Sequence, residues 1–333
     1  MDAIHIVGAG GIGCAVGYAL LQAKRSVVFV ESSDAKLADG RANGVRVDSL
    51  PPLRAEFVAF RDWSPPPKGV TLLCVKCPAN ATVLGRLPPT ASLIPIQNGF
   101  DPALIERGTF AEGIASFVSE CLPGRTHTRI TRRGDLHLSA EASDLAASLG
   151  QAPFRVRVVA DVLPHKYTKL MYNAAISPLA ASAGLDNGEL LRWKKLRGLF
   201  FALLRENHAI LRHAGVPLGQ VGPLRPATVA GILRRPWLAH ALAWAFYPSL
   251  RGTYCSMAPD LPHGPTEIDN YNGHLIALAG EFPCPLNRAV HALVKGIEAG
   301  RLTPRPELLG PLWRVEAGAE SCPAAAAETT VGG

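Results

Sequence analysis

Lysine, asparagine and serine recur four residues apart at Lys169, Asn173 and Ser177, with His165 one step before them. Steps of four stay near one face of a 3.6-residue helix, so these polar groups form a narrow stripe. Leu170, Met171, Ala174, Ala175 and Ile176 lie between them. A solvent-facing stripe is the plainer reading. However, Asn and Ser are poor helix formers, and a solvent face favours Glu, Lys or Gln. The stripe is therefore expected to face a cleft, where a lysine offers positive charge and a proton. A second cluster is Ser256-Met257, Asp260 and Pro265-Thr266-Glu267-Ile268-Asp269. Pro265 or Thr266 can open a helix through Tyr271-Asn272-Gly273. Glu267 then lies in its first turn, where it either does chemistry or merely complements the helix dipole. The third group is Gln97-Asn98-Gly99, which reads either as a ligand-facing Asn98 or as a plain Asn-Gly turn.

A different chemistry is written at the start of the chain. The apolar run Ile4-His5-Ile6-Val7 meets Gly8-Ala9-Gly10-Gly11-Ile12-Gly13, a glycine cluster of the G-x-G-x-x-G form. A strand turning sharply into a helix presents free N–H groups and positive dipole charge to an anion. Gly8 permits the tight turn, Gly10 lets backbone approach a pyrophosphate, and Gly13 lets the helix pack on the strand. The expected ligand is a dinucleotide. Glu31 ends the next strand, close to where a carboxylate bonds the adenosine ribose hydroxyls.

These groups need elements to position them. Ala15–Ala23 reads as a helix, and 26–30, 70–75 and 92–96 as strands, the last two largely apolar, as in a sheet covered on both faces. Segment 154–159 is expected to close that sheet. The fold class is α/β, with an N-terminal Rossmann-like doubly wound parallel sheet over 1–163. Helical patterns follow at 166–183, 189–214, 225–245, 268–280 and 286–299, giving an all-helical domain over 164–316. The aromatic segment with Trp237, Trp244, Phe246 and Tyr247 is expected in its core. Residues 317–333 are expected to be a disordered tail.

Composition narrows the class. The 333 residues are 48% hydrophobic and 18% charged, which suits a globular protein of about two domains. A net charge of +7 comes without aromatics interleaved among the arginine pairs 132–133 and 234–235, so nucleic acid is not an expected partner. No apolar run approaches the length a membrane helix needs. The seven scattered cysteines, Cys74-Val75-Lys76-Cys77 among them, read as reduced thiols with no metal site. A cytoplasmic enzyme is the expectation, because Asp2 and the glycine turn argue against a signal peptide.

Taken together, the motifs resemble the ketopantoate reductase (2-dehydropantoate 2-reductase) family. The resemblance runs from the glycine turn to about residue 300. It passes in order through Val75-Lys76, Ile96-Gln97-Asn98-Gly99, Lys169-Leu170, Asn173, Pro178-Leu179, Ser256-Met257, Asp260 and 265–269. It implies that Lys169 is the general acid and Glu267 the catalytic glutamate. It also implies that Asn98 lies between nicotinamide and substrate, that Asn173 and Ser256 bind substrate, and that Lys76 lies near the cofactor. Ser177 and Asp260 join the expected substrate site. Lys169 and Glu267 are then expected across a cleft from the glycine turn.

The implied reaction reduces ketopantoate or a related 2-keto acid to the 2-hydroxy acid, with NAD(P)H as cofactor and a homodimer as a further expectation. Three departures stand out. Ser177 occupies a place where the family often has asparagine. The loop 260–265 is one residue short and lacks a basic residue. Glu31 stands where the family tends to carry a basic residue. A carboxylate there repels a 2′-phosphate and bonds a free 2′-hydroxyl, so NAD is expected over NADP. The alternative is that Lys36 or Arg41 holds that phosphate. Other functions consistent with these features are a ketone reductase of the same fold in specialised metabolism and a dinucleotide sensor. The pairing of Lys169 with Glu267 disfavours the sensor.

Overall fold

A computed structural model describes residues 3–66, 69–150, 152–261 and 264–320. The chain forms two compact units. One comprises residues 1–166 with 219–223, the other 167–218 with 224–333. The division thus falls three residues beyond the 163/164 boundary expected from sequence, inside the helix Leu163–Ala183.

In the first unit, the strands in chain order are β1 (Ile4–Val7), β2 (Val27–Glu31), β3 (Arg46–Val47), β4 (Glu56–Ala59), β5 (Val70–Leu73) and β6 (Ser92–Pro95). They are followed by β7 (Gly113–Ala115), β8 (Val118–Cys121), β9 (His127–Arg132), β10 (Asp135–Ser139) and β11 (Arg155–Val159). The first sheet has the order β4-β2-β1-β5-β6, and all its pairings are parallel. Side chains alternate between its faces. Ile6, Phe29, Leu72 and Ile94 join one core with the helix Gly11–Gln22. Val7, Val30, Leu73 and Leu93 join another with Val83 and Leu104. Both faces are therefore covered, and β1, at the centre, delivers the glycine turn at its carboxyl end.

Segment 154–159 does not close this sheet. Its strand β11 pairs in parallel with β10, which pairs antiparallel with β7, making a separate sheet. The reason is its alternation. Exposed Arg155 and Arg157 reach the Asp135 carboxylate at 2.7 and 2.8 Å, a wet face that a strand covered on both sides could not carry. A third small sheet has the order β3-β9-β8.

The second unit is helical, but several expected helices are broken. The pattern at 189–214 divides into Asn187–Arg192 and Lys194–His213 at Trp193, which is extended. The pattern at 225–245 divides into Pro226–Leu233 and Pro236–Phe246, because Pro236 pushes Arg235 out of helical geometry. In place of a helix through 268–280 there is a π-turn, Asp269–Gly273, followed by the helix His274–Ala279. Helix Pro285–Glu298 follows. Trp237 and Trp244 are not core: they are 71% and 66% exposed. Seven residues apart, they lie on the outward face of their helix. The helix Gly310–Glu320 continues past 317, where a tail was expected to begin, and 321–333 lie outside the described residues. Among the described residues, no helix is long and apolar enough to cross a membrane.

Candidate active site

The glycine turn is shaped by close contacts. Gly8 has φ +100°, and a Cβ there would lie 2.8 Å from Val75 Cγ1. A Cβ on Gly13 would overlap the Gly8 carbonyl oxygen. By contrast, Gly10 faces open space, with nothing within 4 Å of where its Cβ would be. Helix Gly11–Gln22 starts there with no side-chain cap and no acidic residue in its first turn. Its free N–H groups and positive dipole end remain available to an anion. These residues fit the pyrophosphate of a dinucleotide.

Glu31 is tied to this turn more tightly than its sequence position suggested. Its Oε2 accepts the Ala9 N–H at 3.0 Å, and its Oε1 accepts the N–H groups of Ser32 and Ser33 at 2.8 and 3.0 Å. A carboxylate has about four acceptor positions. Three are used here: one fastens the end of β2 to the turn, and two hold the chain just after it, at Ser32 and Ser33. Of the two alternative cations, Lys36 is beside it: Nζ donates to the Ala9 carbonyl at 3.0 Å and sits 3.9 Å from Glu31. Arg41 is engaged elsewhere, donating from Nε to the Phe57 carbonyl.

Lys76 and Asn98 occupy the loops after β5 and β6. Lys76 is exposed and precedes the short helix Cys77–Ala79. Asn98 Oδ1 is buried with no hydrogen-bond partner among the described residues, which suits an acceptor awaiting a donor from a ligand. Its neighbour Gln97 fixes the loop. The Gln97 and Asn80 amides bond reciprocally at 2.7 and 3.1 Å, and Gln97 Nε2 also donates to the Val75 carbonyl. Nothing in the sequence pairs Asn80 with Gln97.

In the second unit, helix Leu163–Ala183 presents Lys169, Asn173 and Ser177 at intervals of four. His165 does not join them; it lies in the first unit, stacked on His137 with ring centroids 4.4 Å apart. Pro178 lies inside the helix and lacks the N–H that would bond the Ala174 carbonyl, a loss of about 3 kcal/mol or more in an ordinary helix. Here Asn272 Nδ2 takes its place, donating to that carbonyl at 2.9 Å. Asn272 is itself held by Asn287, and Asn287 by Glu206 and Asn207. Asn207 returns to the same helix at the Met171 carbonyl. This buried network fastens the backbone between Lys169 and Ser177 to three other segments. Ser177 is buried, and its carbonyl accepts from Cys255 Sγ at 3.3 Å, beside Ser256.

Glu267 is 3% exposed. The segment carrying it is anchored by Thr266, whose N–H and Oγ1 both donate to Glu298 Oε1 at 2.7 Å. Tyr271 Oη donates to Glu267 Oε2 at 2.9 Å and lies 3.5 Å from Ser256 Oγ. Asp260 sits on the turn that follows Met257. Lys169 is half-buried. Burial brings it down to about 8, and the nearby Glu267 carboxylate pulls the other way. A lysine so tuned can donate a proton near neutral pH. Thus Lys169, Asn173, Ser177, Ser256, Asp260 and Glu267 belong to the second unit, while the glycine turn, Glu31, Lys76 and Asn98 belong to the first. Tyr271 escaped the sequence reading, although its place four residues after Glu267 was a usable signal.

Comparison with known proteins identifies the family and the fold. The family described as ketopantoate reductase PanE/ApbA matches residues 4–152, and its C-terminal domain matches 161–298. The 2-dehydropantoate 2-reductase of Archaeoglobus fulgidus is 25% identical over 312 residues, covering 89% of this chain and 98% of the relative. A PanE/ApbA family ketopantoate reductase from Ralstonia eutropha superposes with TM-score 0.71 at 25% identity, covering 90% and 99% of the two chains. D-mandelate dehydrogenase, solved with NADH and anilino(oxo)acetate, shares the fold with TM-score 0.72 at 17% identity, covering 90% and 99%.

Proposed function

Because the chain belongs to the ketopantoate reductase family, we propose that it reduces 2-dehydropantoate or a closely related 2-keto acid to the 2-hydroxy acid. The observation that carries this reading is Lys169, half-buried with the Glu267 carboxyl group near enough to favour its charged form, in a chain of this family. A reduced nicotinamide dinucleotide, when bound, supplies the hydride. Negative charge then gathers on the carbonyl oxygen of the acid. Lys169 Nζ neutralises that charge and passes its proton to the oxygen. Glu267 favours the ammonium form of Lys169, which burial disfavours. Asn98, Asn173, Ser177, Ser256 and Asp260 orient the keto acid through hydrogen bonds. The turn Gly8-Ala9-Gly10-Gly11-Ile12-Gly13, with Glu31, Lys76 and Asn98, holds the dinucleotide. A homodimer belongs to this proposal, since a ketopantoate reductase of the same fold from Staphylococcus aureus is described as dimeric.

A screen of ketopantoate and other 2-keto acids against NADH and NADPH tests the reading. Turnover of a 2-keto acid is expected, and its absence across the panel would overturn it. Within the screen, kcat/KM is expected to favour NADH by about tenfold or more, because a carboxylate at the end of β2, as Glu31 is, would repel a 2′-phosphate. A preference for NADPH would instead assign the phosphate to Lys36.

The pH dependence has a definite sign. The acting form of Lys169 is the ammonium. Its titration point lies below that of an ordinary lysine, at about 8. The reduction rate is therefore expected to be level below that pH and to fall about tenfold per unit above it. A rate still level at pH ~10 would show that Lys169 is not the proton donor.

A further inference from the structure

We propose that Tyr271 is a positioning residue for the reaction, holding the Glu267 carboxyl group in one orientation and linking it to Ser256. This inference rests on the proposed reduction for its kinetic consequences, but its structural basis stands apart from it.

Tyr271 is completely buried, and its hydroxyl donates to Glu267 Oε2 at 2.9 Å. Glu267 is itself 3% exposed, so solvent cannot supply that donor. A buried carboxylate stripped of a hydrogen bond is costly, and a bond to a charged group is among the stronger ones. Four residues separate the pair, the spacing that brings side chains to one helical face. The wide turn Asp269–Gly273 then lets the next residue, Asn272, reach in another direction, to the Ala174 carbonyl. One short segment thus fastens the Glu267 carboxylate through Tyr271 and the Lys169 helix through Asn272.

The hydroxyl chain also has a direction. A tyrosine hydroxyl has one proton, and that of Tyr271 is committed to Glu267. Across the 3.5 Å contact, Ser256 Oγ must therefore be the donor and Tyr271 Oη the acceptor. The order is Ser256 to Tyr271 to Glu267. A group proposed to hold substrate is in this way connected to the carboxylate that sustains Lys169. Tyr271 touches neither substrate nor cofactor in this account and acts only through Glu267.

Tyr271→Phe keeps the buried ring and removes one oxygen. It is expected to lower kcat about tenfold while KM changes less than about threefold. In a Glu267→Gln background the same substitution is expected to have little further effect, since both changes break one connection. A merely structural tyrosine would give additive losses. The second readout needs no turnover. In the ¹³C-carboxyl NMR spectrum of the ligand-free protein, the resonance identified as Glu267 by its loss in Glu267→Gln is expected to be displaced in Tyr271→Phe, because its hydroxyl donor is gone. An unmoved Glu267 resonance, or additive losses, would overturn the proposal. Should the wild type reduce no 2-keto acid, the reductase reading falls, and the carboxyl resonance still decides the role of Tyr271.

Discussion

Lys169→Ala is expected to lower kcat for 2-keto acid reduction by about 10³-fold, within the range a positioned general acid contributes. In the proposed reduction Lys169 supplies both the charge that meets the developing oxyanion and the proton that quenches it, so its removal takes two effects at once. Dinucleotide affinity, measured by quenching of nicotinamide fluorescence, is expected to change little, because the residues proposed to bind it lie in the other unit. The variant is also expected to fold. Burying the ammonium already costs enough to bring Lys169 to about 8, so an alanine relieves desolvation even as it leaves space. Lys169→Arg separates the two contributions: it keeps a cation but not a readily released proton. Turnover by Lys169→Ala close to that of the wild type would remove the proposed proton donor.

The second large effect is at the glycine turn. Gly13→Ala is expected to weaken dinucleotide binding by about 10- to 100-fold and to lower the melting temperature. The added methyl would overlap the Gly8 carbonyl oxygen, a backbone atom with no rotamer to retreat into. Overpacking of this kind costs about 1–3 kcal/mol, and each 1.4 kcal/mol is about tenfold in affinity. Gly10→Ala provides the contrast. Nothing of the chain lies within 4 Å of its Cβ position, so the melting temperature should hold while affinity falls. Calorimetric melts and titrations with NADH check both. Equal melting losses in the two variants would show that Gly10 is no more open to a ligand than Gly13.

Why the turn was legible in the sequence is clear from these contacts. Gly13 meets its constraint at Gly8, within the motif itself, so the spacing carries that part of the geometry, whereas the contact that confines Gly8 comes from Val75, far along the chain. The stripe at 169, 173 and 177 was legible for the same reason, since helix periodicity is local. Glu31 was legible as a carboxylate at a strand end. Its bond from the Ala9 N–H was not, because that N–H comes from another strand's turn. The break at Pro236 was available from the residue itself. The exposure of Trp237 and Trp244 was not, because residue type alone favours burial. Segment 154–159 shows the remaining difficulty: its alternating arginines marked a strand with one wet face, but not which sheet it joins.

The sequence by itself determined the glycine turn, the α/β and helical halves, and the lysine and glutamate on which the proposed chemistry depends. Each of these is encoded by neighbours in the chain. Only the tertiary structure decided what holds them in place. Asn80 meets Gln97, Asn272 stands in for the N–H that Pro178 lacks, and Ser256 approaches Tyr271. These partners are 15 to 98 residues apart. Hydrogen bonds between buried side chains depend on where packing brings the segments, and no local periodicity records that.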